Sequence, residues 1–469
     1  MTRVQRERAE DKKSPNEARV VFSRFRDLRS RTLDVFSNTS RYKENAPIEN
    51  RNGVLHIGGS SAVELAETHG TPLYVYNEDR IRANYRRVVE AFKRHYEKFS
   101  LFYAVKANNS LAVLRILQQE GAGADVSGPT ESYLAVRAGF DPQRMLYSGN
   151  YHTNDELVQG IRAGIKINLD GISQMRRIIE LGLRPEFISF RINPGIGKGG
   201  HEDQVYAGPN VKFGIKESEA LEAYRMAKEY GIRRFGVHMM TGSNILDENY
   251  FETITGILMD IVGRIAKGLS IKFDFVDIGG GLGVPYKPED NPLNVELVAK
   301  KVVERFKQKV AEQGLPKDIV LMMEPGRYLV CDAGVLLARV HSIKEADKIF
   351  IGTDAGMNTL LRPAIYGAYH PILLAGDLEA EYRKEVTIVG QICENTDHLA
   401  RDRLMPVFTE GDLLAVLNVG AYGFAMSSQY NTRPRAAEVL VASGQHELIR
   451  ERETFEDIER RMVVPERLK

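Results

Sequence analysis

The stretch LFYAVKANNS (101–110) places a single lysine, Lys106, directly after a run of five apolar residues. Residues 101–105 have the composition of a buried strand, and the Asn-Asn-Ser sequence that follows is typical of a turn. A lysine at this position can extend into water along its aliphatic stem. Alternatively, it can point into a pocket at the end of the strand and form an imine with a carbonyl cofactor.

Seven further apolar runs repeat this pattern of a short strand followed by an amphipathic segment. The segment 294–310 is the clearest helix, with valine or phenylalanine at every third or fourth position. Eight such units favour an α/β fold built on a (β/α)8 TIM-like barrel over an open doubly wound sheet. The predicted strands are 101–105, 123–126, 145–148, 166–170, 187–192, 235–240, 273–278 and 319–324.

The pattern changes after about residue 335. Short β-rich segments separated by Gly, Asp and Asn predict a C-terminal all-β domain, which an N-terminal strand at 53–59 is expected to complete. The predicted β segments are 334–343, 384–390, 412–420 and 437–444. We therefore predict a charged, flexible extension (1–48), an N-terminal segment joining the β-domain (49–75), the barrel (76–335) and the β-domain (336–469).

The composition is that of an ordinary globular enzyme. Of the 469 residues, 43% are hydrophobic and 27% charged, and 64 Lys and Arg nearly balance 63 Asp and Glu, so neither a nucleic-acid nor a membrane partner is predicted. Two cysteines, Cys331 and Cys393, fit a reducing compartment. The absence of a signal sequence or a long apolar run predicts a cytoplasmic protein.

Reactive groups in such barrels lie at the C-terminal ends of the strands, where Lys106 is also predicted to lie. The motif VDIGGGLG (276–283) has three glycines whose amides can approach a phosphate, although three glycines taken alone are more often a flexible turn. The motif EPGRYLV (324–330) places Glu324 where a carboxylate can keep a pyridine nitrogen protonated, unless it is a surface residue. A lysine, a phosphate-type loop and an acid on three strands of one barrel favour the cofactor interpretation.

Longer motifs extend this pattern through both predicted domains. They resemble the diaminopimelate decarboxylase family, within the fold-type III pyridoxal-phosphate decarboxylases of the alanine-racemase-like barrel class. The resemblance runs from about residue 50 to the C-terminus and implies a homodimer with shared active sites. It also implies pyridoxal 5'-phosphate as cofactor and conversion of meso-2,6-diaminopimelate to L-lysine and carbon dioxide. The motifs are FYAVKANN (102–109), GADVSGPTES (123–132), GGGLG (279–283), EPGRYLV (324–330), LLRPAIYGAYH (360–370), CENTDHLA (393–400) and GAYGFAMSSQYNTRPR (420–435).

The resemblance implies a role for each matching residue. Lys106 binds the cofactor aldehyde, with its amine expected to be partly neutral, and Glu324 contacts the pyridine nitrogen. Cys393 matches a catalytic position that manages protonation after carbon dioxide leaves. The positions that match phosphate-binding residues are Ser243, Gly280, Gly281, Gly326 and Tyr422. The positions that match substrate-binding residues are Arg327, Arg362, Tyr366 and Tyr422, together with Glu394, which reaches the partner subunit's site.

One motif departs from the family. In GVHMMTGSN (236–244), Met240 occupies the position of the histidine that normally stacks on the cofactor, and we expect Met240 to cover the ring instead. His238 shares the inward face but lies about 7 Å further down the strand, so we interpret it as a core histidine. No group of His, Asp and Glu has metal-ligand spacing, and no metal is predicted. His370 and His201 are candidates for the border of the site.

Two alternative interpretations keep the same fold and cofactor but differ in the substrate or in whether the protein is catalytic. A related decarboxylase acting on ornithine, lysine or carboxynorspermidine is the second interpretation, followed by a non-catalytic pyridoxal-phosphate-binding relative. Arg327, Arg362 and Tyr366 favour a substrate with a distal carboxylate over a simple diamine precursor. A racemase needs an acid or base on each face of Cα, and the GAYGFAMSSQYN segment resembles the decarboxylases instead.

Overall fold

The computed structural model describes residues 46–199 and 205–469. Nearly all of the predicted extension, and also His201, lie outside the described residues. The N-terminal part begins with a small three-stranded antiparallel sheet and a helix, Ala62–His69. Its strands are β1 (Glu49–Arg51), β2 (Val54–Ile57) and β3 (Ser60–Ser61), and the next strand along the chain is β4 (Leu73–Asn77).

Eight parallel strands form a closed barrel. The barrel closes because the strand Lys166–Leu169, at one end of the pairing order, also pairs with the strand Phe187–Asn193. Each lies within a few residues of a predicted strand, and the predicted barrel is confirmed. The eight strands are β5 (Phe99–Ala104), β6 (Gly123–Val126), β7 (Met145–Tyr147), β8 (Lys166–Leu169), β9 (Phe187–Asn193), β12 (Arg234–His238), β14 (Phe273–Asp277) and β15 (Val320–Met323). Three two-residue strands lie among them: β10 (Lys198–Gly199), β11 (Ile215–Lys216) and β13 (Gly242–Ser243).

Helices cover the outside of the barrel. The predicted helix at 294–310 is Val295–Gln313, where the Asn294 side chain accepts a hydrogen bond from the Leu297 N–H, and Gly314 ends the helix with φ +63°. Its apolar stripe is buried, and each such side chain contributes about 1.5–3 kcal/mol. The other seven are Glu78–Lys93, Leu111–Gln119, Pro129–Arg137, Asn154–Arg162, Ile172–Glu180, Glu217–Glu229 and Glu248–Leu269.

The C-terminal region forms a second, largely antiparallel sheet, in the order β20-β19-β17-β16-β4-β22-β23, with β21 pairing to β16 and β18. Two short helices, Arg362–Tyr366 and Phe455–Glu459, accompany it. The strands are β16 (Gly334–Glu345), β17 (Ile349–Thr353), β18 (Ile372–Leu374), β19 (Tyr382–Val389), β20 (His398–Pro406), β21 (Leu413–Leu417), β22 (Ala437–Ala442) and β23 (Gln445–Arg450).

The N-terminal strand that completes this sheet is not the one expected from the sequence. β4 lies between β16, to which it is antiparallel, and β22, to which it is parallel. The predicted strand at 53–59 exists as β2, but it pairs only with β1 and β3. Its Leu55 and Ile57 pack into the same apolar cluster as Leu73 and Val335, and the Leu55 N–H donates to the Ala375 carbonyl at 2.9 Å, so the segment joins the domain without entering its sheet.

A buried ion pair holds the segment that connects barrel and β-domain. Arg80 donates to Asp332 through Nε (3.2 Å) and Nη2 (2.6 Å). Asn84 donates both to Asp332 and to the Leu329 carbonyl. These contacts anchor the short helix Arg327–Val330 against the helix Glu78–Lys93 and therefore position Arg327 at the barrel mouth. Within the described residues, no helix has both the length and the apolar composition needed to cross a bilayer.

Candidate active site

Lys106 lies in a single 3₁₀ turn, Val105–Ala107, directly after β5 at the C-terminal end of the barrel. Its Nζ is 2.6 Å from Oδ2 of Asp125, on the neighbouring strand β6, and Ser148 Oγ donates to the other oxygen of Asp125. The Lys106 side chain is 44% exposed, and although the surrounding protein atoms oppose its charge, Asp125 and Glu324 more than offset this and raise its pKa. These two carboxylates favour the ammonium form of Lys106, and the partly neutral amine, which depends on a nearby pyridinium ring, stays a prediction.

Glu324 follows β15 and faces two other ionisable side chains. Its Oε2 is 3.1 Å from Nε2 of His238, and both residues are at most 5% exposed. Burial opposes ionisation, but His238, Lys106 and Asp277 together more than offset it and lower the pKa of Glu324 to about 2. Burial first, and then Glu324, raise the pKa of Asp277 well above its usual value.

One oxygen of Glu324, Oε1, is buried and has no hydrogen-bond partner among the described residues. A buried acceptor without a partner is costly unless a ligand supplies the donor. The N–H of a protonated pyridine ring is such a donor. The site therefore fits the pyridine end of pyridoxal phosphate.

The glycine loop lies next to Glu324 at the barrel mouth. Gly279 and Gly281 have φ of +73° and +99°, and a Cβ on Gly280 would lie 2.5 Å from the Glu324 carbonyl oxygen. Met240 lies against this loop, and its sulfur is 3.2 Å from the Gly280 nitrogen, which donates to it. Met240 thus lies at the mouth, although its covering of the cofactor ring stays a prediction.

Ser243, Gly326 and Tyr422 come together beside the same loop. Ser243 Oγ accepts from Arg327 Nη2 at 3.3 Å. A Cβ on Gly326 would lie 2.8 Å from the Cβ of Ala107, so glycine permits the close approach of this loop to the Lys106 turn. Tyr422 comes from the β-domain, and its N–H donates to the Ala107 carbonyl at 2.8 Å. Both domains therefore contribute to the mouth.

Two arginines lie in the same region, and Tyr286 lies between them. Arg327 Nη1 donates to the Tyr286 hydroxyl at 2.5 Å, and the Arg362 guanidinium lies 4.8 Å from the centre of the Tyr286 ring. Both arginines are at most 6% exposed, and neither has a carboxylate within ion-pair distance in the described part of the chain. Two buried cations of this kind provide a site for an anion.

His370 orients Arg362. Its Nδ1 donates to the Leu417 carbonyl at 2.9 Å, which leaves Nε2 to accept from Arg362 Nη1, also at 2.9 Å. Burial and then Arg362 lower the pKa of His370, so the ring is neutral and suited to accept. Tyr366 is half-buried at the end of the helix Arg362–Tyr366.

The structure places Cys393 and Glu394 on the exposed surface of the β-domain, between β19 and β20. The Cys393 N–H donates to Asn431 Oδ1 at 2.9 Å, and the Tyr430 hydroxyl donates to Glu394 Oε1 at 2.6 Å. These contacts stay within the β-domain. The part that either residue plays in catalysis therefore stays a prediction that depends on a second subunit.

Sequence reasoning missed several side chains of this region: Ser148, Tyr206, Tyr286 and the contact between His238 and Glu324. Tyr206 comes from the Gly-rich loop after β9, and the buried Arg191 holds its carbonyl at 3.1 Å. Burial raises the pKa of Tyr206, and the Tyr422 hydroxyl raises it further. This part of the loop therefore lies close to Tyr422 at the barrel mouth. The unusual length of the loop was the available signal. His238, Asp277 and Glu324 also bring three potential metal ligands within 4.8 Å, a cluster that chain spacing does not reveal.

A lysine at one strand end, a glutamate oxygen without a partner among the described residues and a glycine loop in a closed barrel fit a barrel-fold pyridoxal-phosphate enzyme. The sequence profile of the pyridoxal-binding domain of pyridoxal-dependent decarboxylases matches residues 79–331, more than half of the chain. The diaminopimelate decarboxylase of Methanothermobacter thermautotrophicus is 50% identical over 419 residues, or 89% of this chain and 98% of the relative.

Solved structures agree. The crystal structure of diaminopimelate decarboxylase from Methanocaldococcus jannaschii has a TM-score of 0.83 at 37% identity and covers 91% of this chain and 99% of its own. The same values apply to its complex with L-lysine. The chain belongs to the diaminopimelate decarboxylase family.

Proposed function

We propose that this protein is a pyridoxal-phosphate enzyme that decarboxylates meso-2,6-diaminopimelate to L-lysine and carbon dioxide. The substrate assignment rests on two buried guanidinium groups, those of Arg327 and Arg362, which have no carboxylate partner among the described residues. An enzyme for a diamine precursor such as ornithine needs an acid at the distal end of its substrate. Here the distal groups are cationic and suit a second carboxylate.

Pyridoxal phosphate, when bound, supplies an electrophilic carbon for the substrate amine and a ring that accepts the electrons released with carbon dioxide. Glu324 holds the proton on the ring nitrogen, and Lys106 binds the aldehyde carbon. Met240 covers one face of the ring. The residues that bind the phosphate are Ser243, Gly280, Gly281, Gly326 and Tyr422.

The residues that orient the substrate are Arg327, Arg362 and Tyr366. The planar fork of a guanidinium pairs with both oxygens of a carboxylate, and hydrogen bonds to charged groups contribute about 1.5–3 kcal/mol each. Tyr286 and His370 hold the two forks in place before substrate arrives, so little ordering is required on binding.

The proposal includes a homodimer with shared active sites. Cys393 and Glu394 are exposed within one chain, which suits residues that complete the site of the partner: Cys393 for proton return to Cα and Glu394 for the distal ammonium. We further propose a cytoplasmic location, and a division of the chain at about residues 75 and 335.

The test is carbon dioxide release by the purified, cofactor-loaded protein. Meso-diaminopimelate, ornithine, lysine and carboxynorspermidine are supplied separately, with Lys106→Ala as the control. Turnover confined to diaminopimelate supports the proposal. Turnover only with another of the four contradicts the assignment of the distal pocket, and no turnover with any, while the cofactor stays bound, supports a non-catalytic relative.

A further inference from the structure

One short segment of the β-domain, residues 430–433, holds the exposed residues Cys393 and Glu394. The Tyr430 hydroxyl donates to Glu394 Oε1 at 2.6 Å, and the side-chain oxygen of Asn431 accepts from the Cys393 N–H at 2.9 Å. All four residues are exposed. An exposed glutamate loses conformational entropy when one orientation of its side chain is fixed, and here the fold provides a dedicated donor that fixes it.

The backbone of the same segment is strained. Asn431 and Thr432 have φ of +56° and +58°, in the left-handed region that favours glycine. Asparagine tolerates this region, whereas a β-branched threonine rarely adopts it. Arg433 continues the contact with the neighbouring loop, because its Nη1 donates to Gln391 Oε1 at 2.5 Å. Strain of this kind persists where the surrounding structure needs the conformation, and the contacts with residues 391–394 require it here.

The backbone of the loop that carries Glu394 is fixed independently by Asp397. This aspartate is 4% exposed, and its two oxygens accept from the Ile392 and Met357 N–H groups, both at 2.6 Å. The loop therefore has a buried anchor of its own. The Tyr430 hydroxyl acts on the Glu394 side chain, so its removal changes the direction of that side chain without releasing the loop.

The hydrogen bond from Tyr430 leaves the negative charge of Glu394 available. In the part of the chain that the structure describes, no lysine, arginine or histidine lies within ion-pair distance of Glu394. A tyrosine hydroxyl is a neutral donor, so it orients one carboxylate oxygen without neutralising the group. The second oxygen is thereby directed and can accept from an ammonium group.

We propose that Tyr430 is a positioning residue of the shared site, which holds Glu394 so that its second oxygen contacts the distal ammonium of the substrate in the partner subunit. This inference rests on the proposed diaminopimelate activity and on the proposed shared sites, and it deepens both. Tyr430 acts through Glu394 and does not contact the reacting atoms. Because Tyr430→Phe leaves the charge of Glu394 in place, we expect a loss of affinity more than a loss of turnover.

The first test compares two ligands that differ only at the distal ammonium. L-lysine carries that group and 6-aminohexanoate lacks it, while both keep a carboxylate and a terminal amine. Their dissociation constants are measured from the visible absorbance of the cofactor-loaded protein, in the wild type and in Tyr430→Phe. Tyr96→Phe is the matched control, because the Tyr96 hydroxyl also donates at 2.6 Å, to the Ile319 carbonyl at the opposite end of the barrel.

We expect the dissociation constant of L-lysine to rise about tenfold in Tyr430→Phe, because a hydrogen bond to a charged group is lost. The KM for diaminopimelate rises by a similar factor, whereas kcat and the dissociation constant of 6-aminohexanoate change less than about twofold. Tyr96→Phe keeps the wild-type values. Equal changes for both ligands in Tyr430→Phe, or no change for either, overturn the inference. A Tyr430→Phe protein that no longer forms dimers also overturns it, because the hydroxyl then serves the subunit contact.

A second test determines which subunit uses Tyr430. Mixed dimers of a Tyr430→Phe chain and a Lys106→Ala chain are purified through two different affinity tags. Their one site with an intact Lys106 receives Tyr430 and Glu394 from the Lys106→Ala chain, so we expect the wild-type KM. A KM equal to that of the Tyr430→Phe dimer overturns the inference.

Mixed dimers of Lys106→Ala and Glu394→Ala chains distinguish a failure of the proposed function from a failure of this inference. Inactive mixed dimers overturn the proposed shared sites, and a wild type that does not turn over diaminopimelate overturns the proposed activity. Active mixed dimers, together with an unchanged affinity for L-lysine in Tyr430→Phe, overturn the role of Tyr430 alone.

Discussion

The ion pair between Lys106 and Asp125 determines how readily the chain takes up its cofactor. Only a neutral amine attacks an aldehyde, and Asp125 holds the proton on Lys106. The two charged atoms are 2.6 Å apart, and the Lys106 side chain is 44% exposed, so we use the dielectric constant of water. At a dielectric constant of about 80 the pair contributes about 1.6 kcal/mol, or roughly one pKa unit. This is a lower bound, since the mouth is less polar than water.

Asp125→Asn removes the negative charge and therefore lowers the pKa of Lys106. The neutral fraction of Lys106 at a given pH between 7 and 9 then rises by about tenfold or more, and the rate of covalent attachment of pyridoxal phosphate to the apo-protein rises with it. Rapid mixing with absorbance detection measures the rate, and borohydride trapping with mass spectrometry confirms the site. Ser148→Ala is the control, because it leaves the charge of Asp125 in place.

An Asp125→Asn protein that attaches pyridoxal phosphate at the wild-type rate refutes this reasoning. A slower rate also refutes it, and means that Asp125 orients the amine more than it holds the proton.

Four further predictions concern other parts of the site. Asp277 has a raised folded-state pKa, so the wild type loses stability as pH rises above about 4, the usual pKa of an aspartate. Asp277→Asn lacks that loss, and we expect its melting temperature to fall less between pH 5 and 9 in thermal unfolding. Arg362→Lys loses the planar fork, and its KM for diaminopimelate should rise about tenfold or more with a smaller change in kcat; an unchanged KM contradicts the distal-carboxylate assignment. Lys106→Ala and Glu394→Ala homodimers should each be inactive, and mixing them should restore about a quarter of wild-type activity if sites are shared, because half of the randomly assorted dimers have one intact site out of two. Met240→His should retain cofactor binding and change the visible spectrum of the bound cofactor, whereas an unchanged spectrum contradicts contact between residue 240 and the ring.

The sequence was sufficient to predict the eight barrel strands because each is a short apolar run buried on both faces. The same reasoning did not single out β4 as the N-terminal strand that enters the second sheet. Residues 54–57 and 73–77 are both apolar and short, and nothing local distinguishes the one that pairs with β16 and β22. Strand pairing between distant segments is set by packing of the whole domain, which a local pattern does not contain.

The candidate site shows the same limit. Lys106 and Glu324 were predictable because each follows a strand, but their neighbours depend on register between strands. Ala104 pairs with Asp125, which brings that carboxylate to Lys106. His238 pairs with Asp277, which brings both to the residue after β15. A shift of one residue in either register would turn these side chains to the other face of the barrel.

The place of β4 in the second sheet has a consequence for biosynthesis. β4 leaves the ribosome early, whereas its parallel neighbour β22 (Ala437–Ala442) is made more than 350 residues later. Until then β4 has an open edge. About three-quarters of the 469 residues separate β4 from β22, which makes the pairing of these two strands a late and slow event. Tyr422, the β-domain residue at the Lys106 turn, is also made more than 300 residues after Lys106. The nascent chain therefore completes its cofactor site only after Tyr422 has emerged, and truncation before residue 437 leaves an unpaired strand edge prone to aggregation.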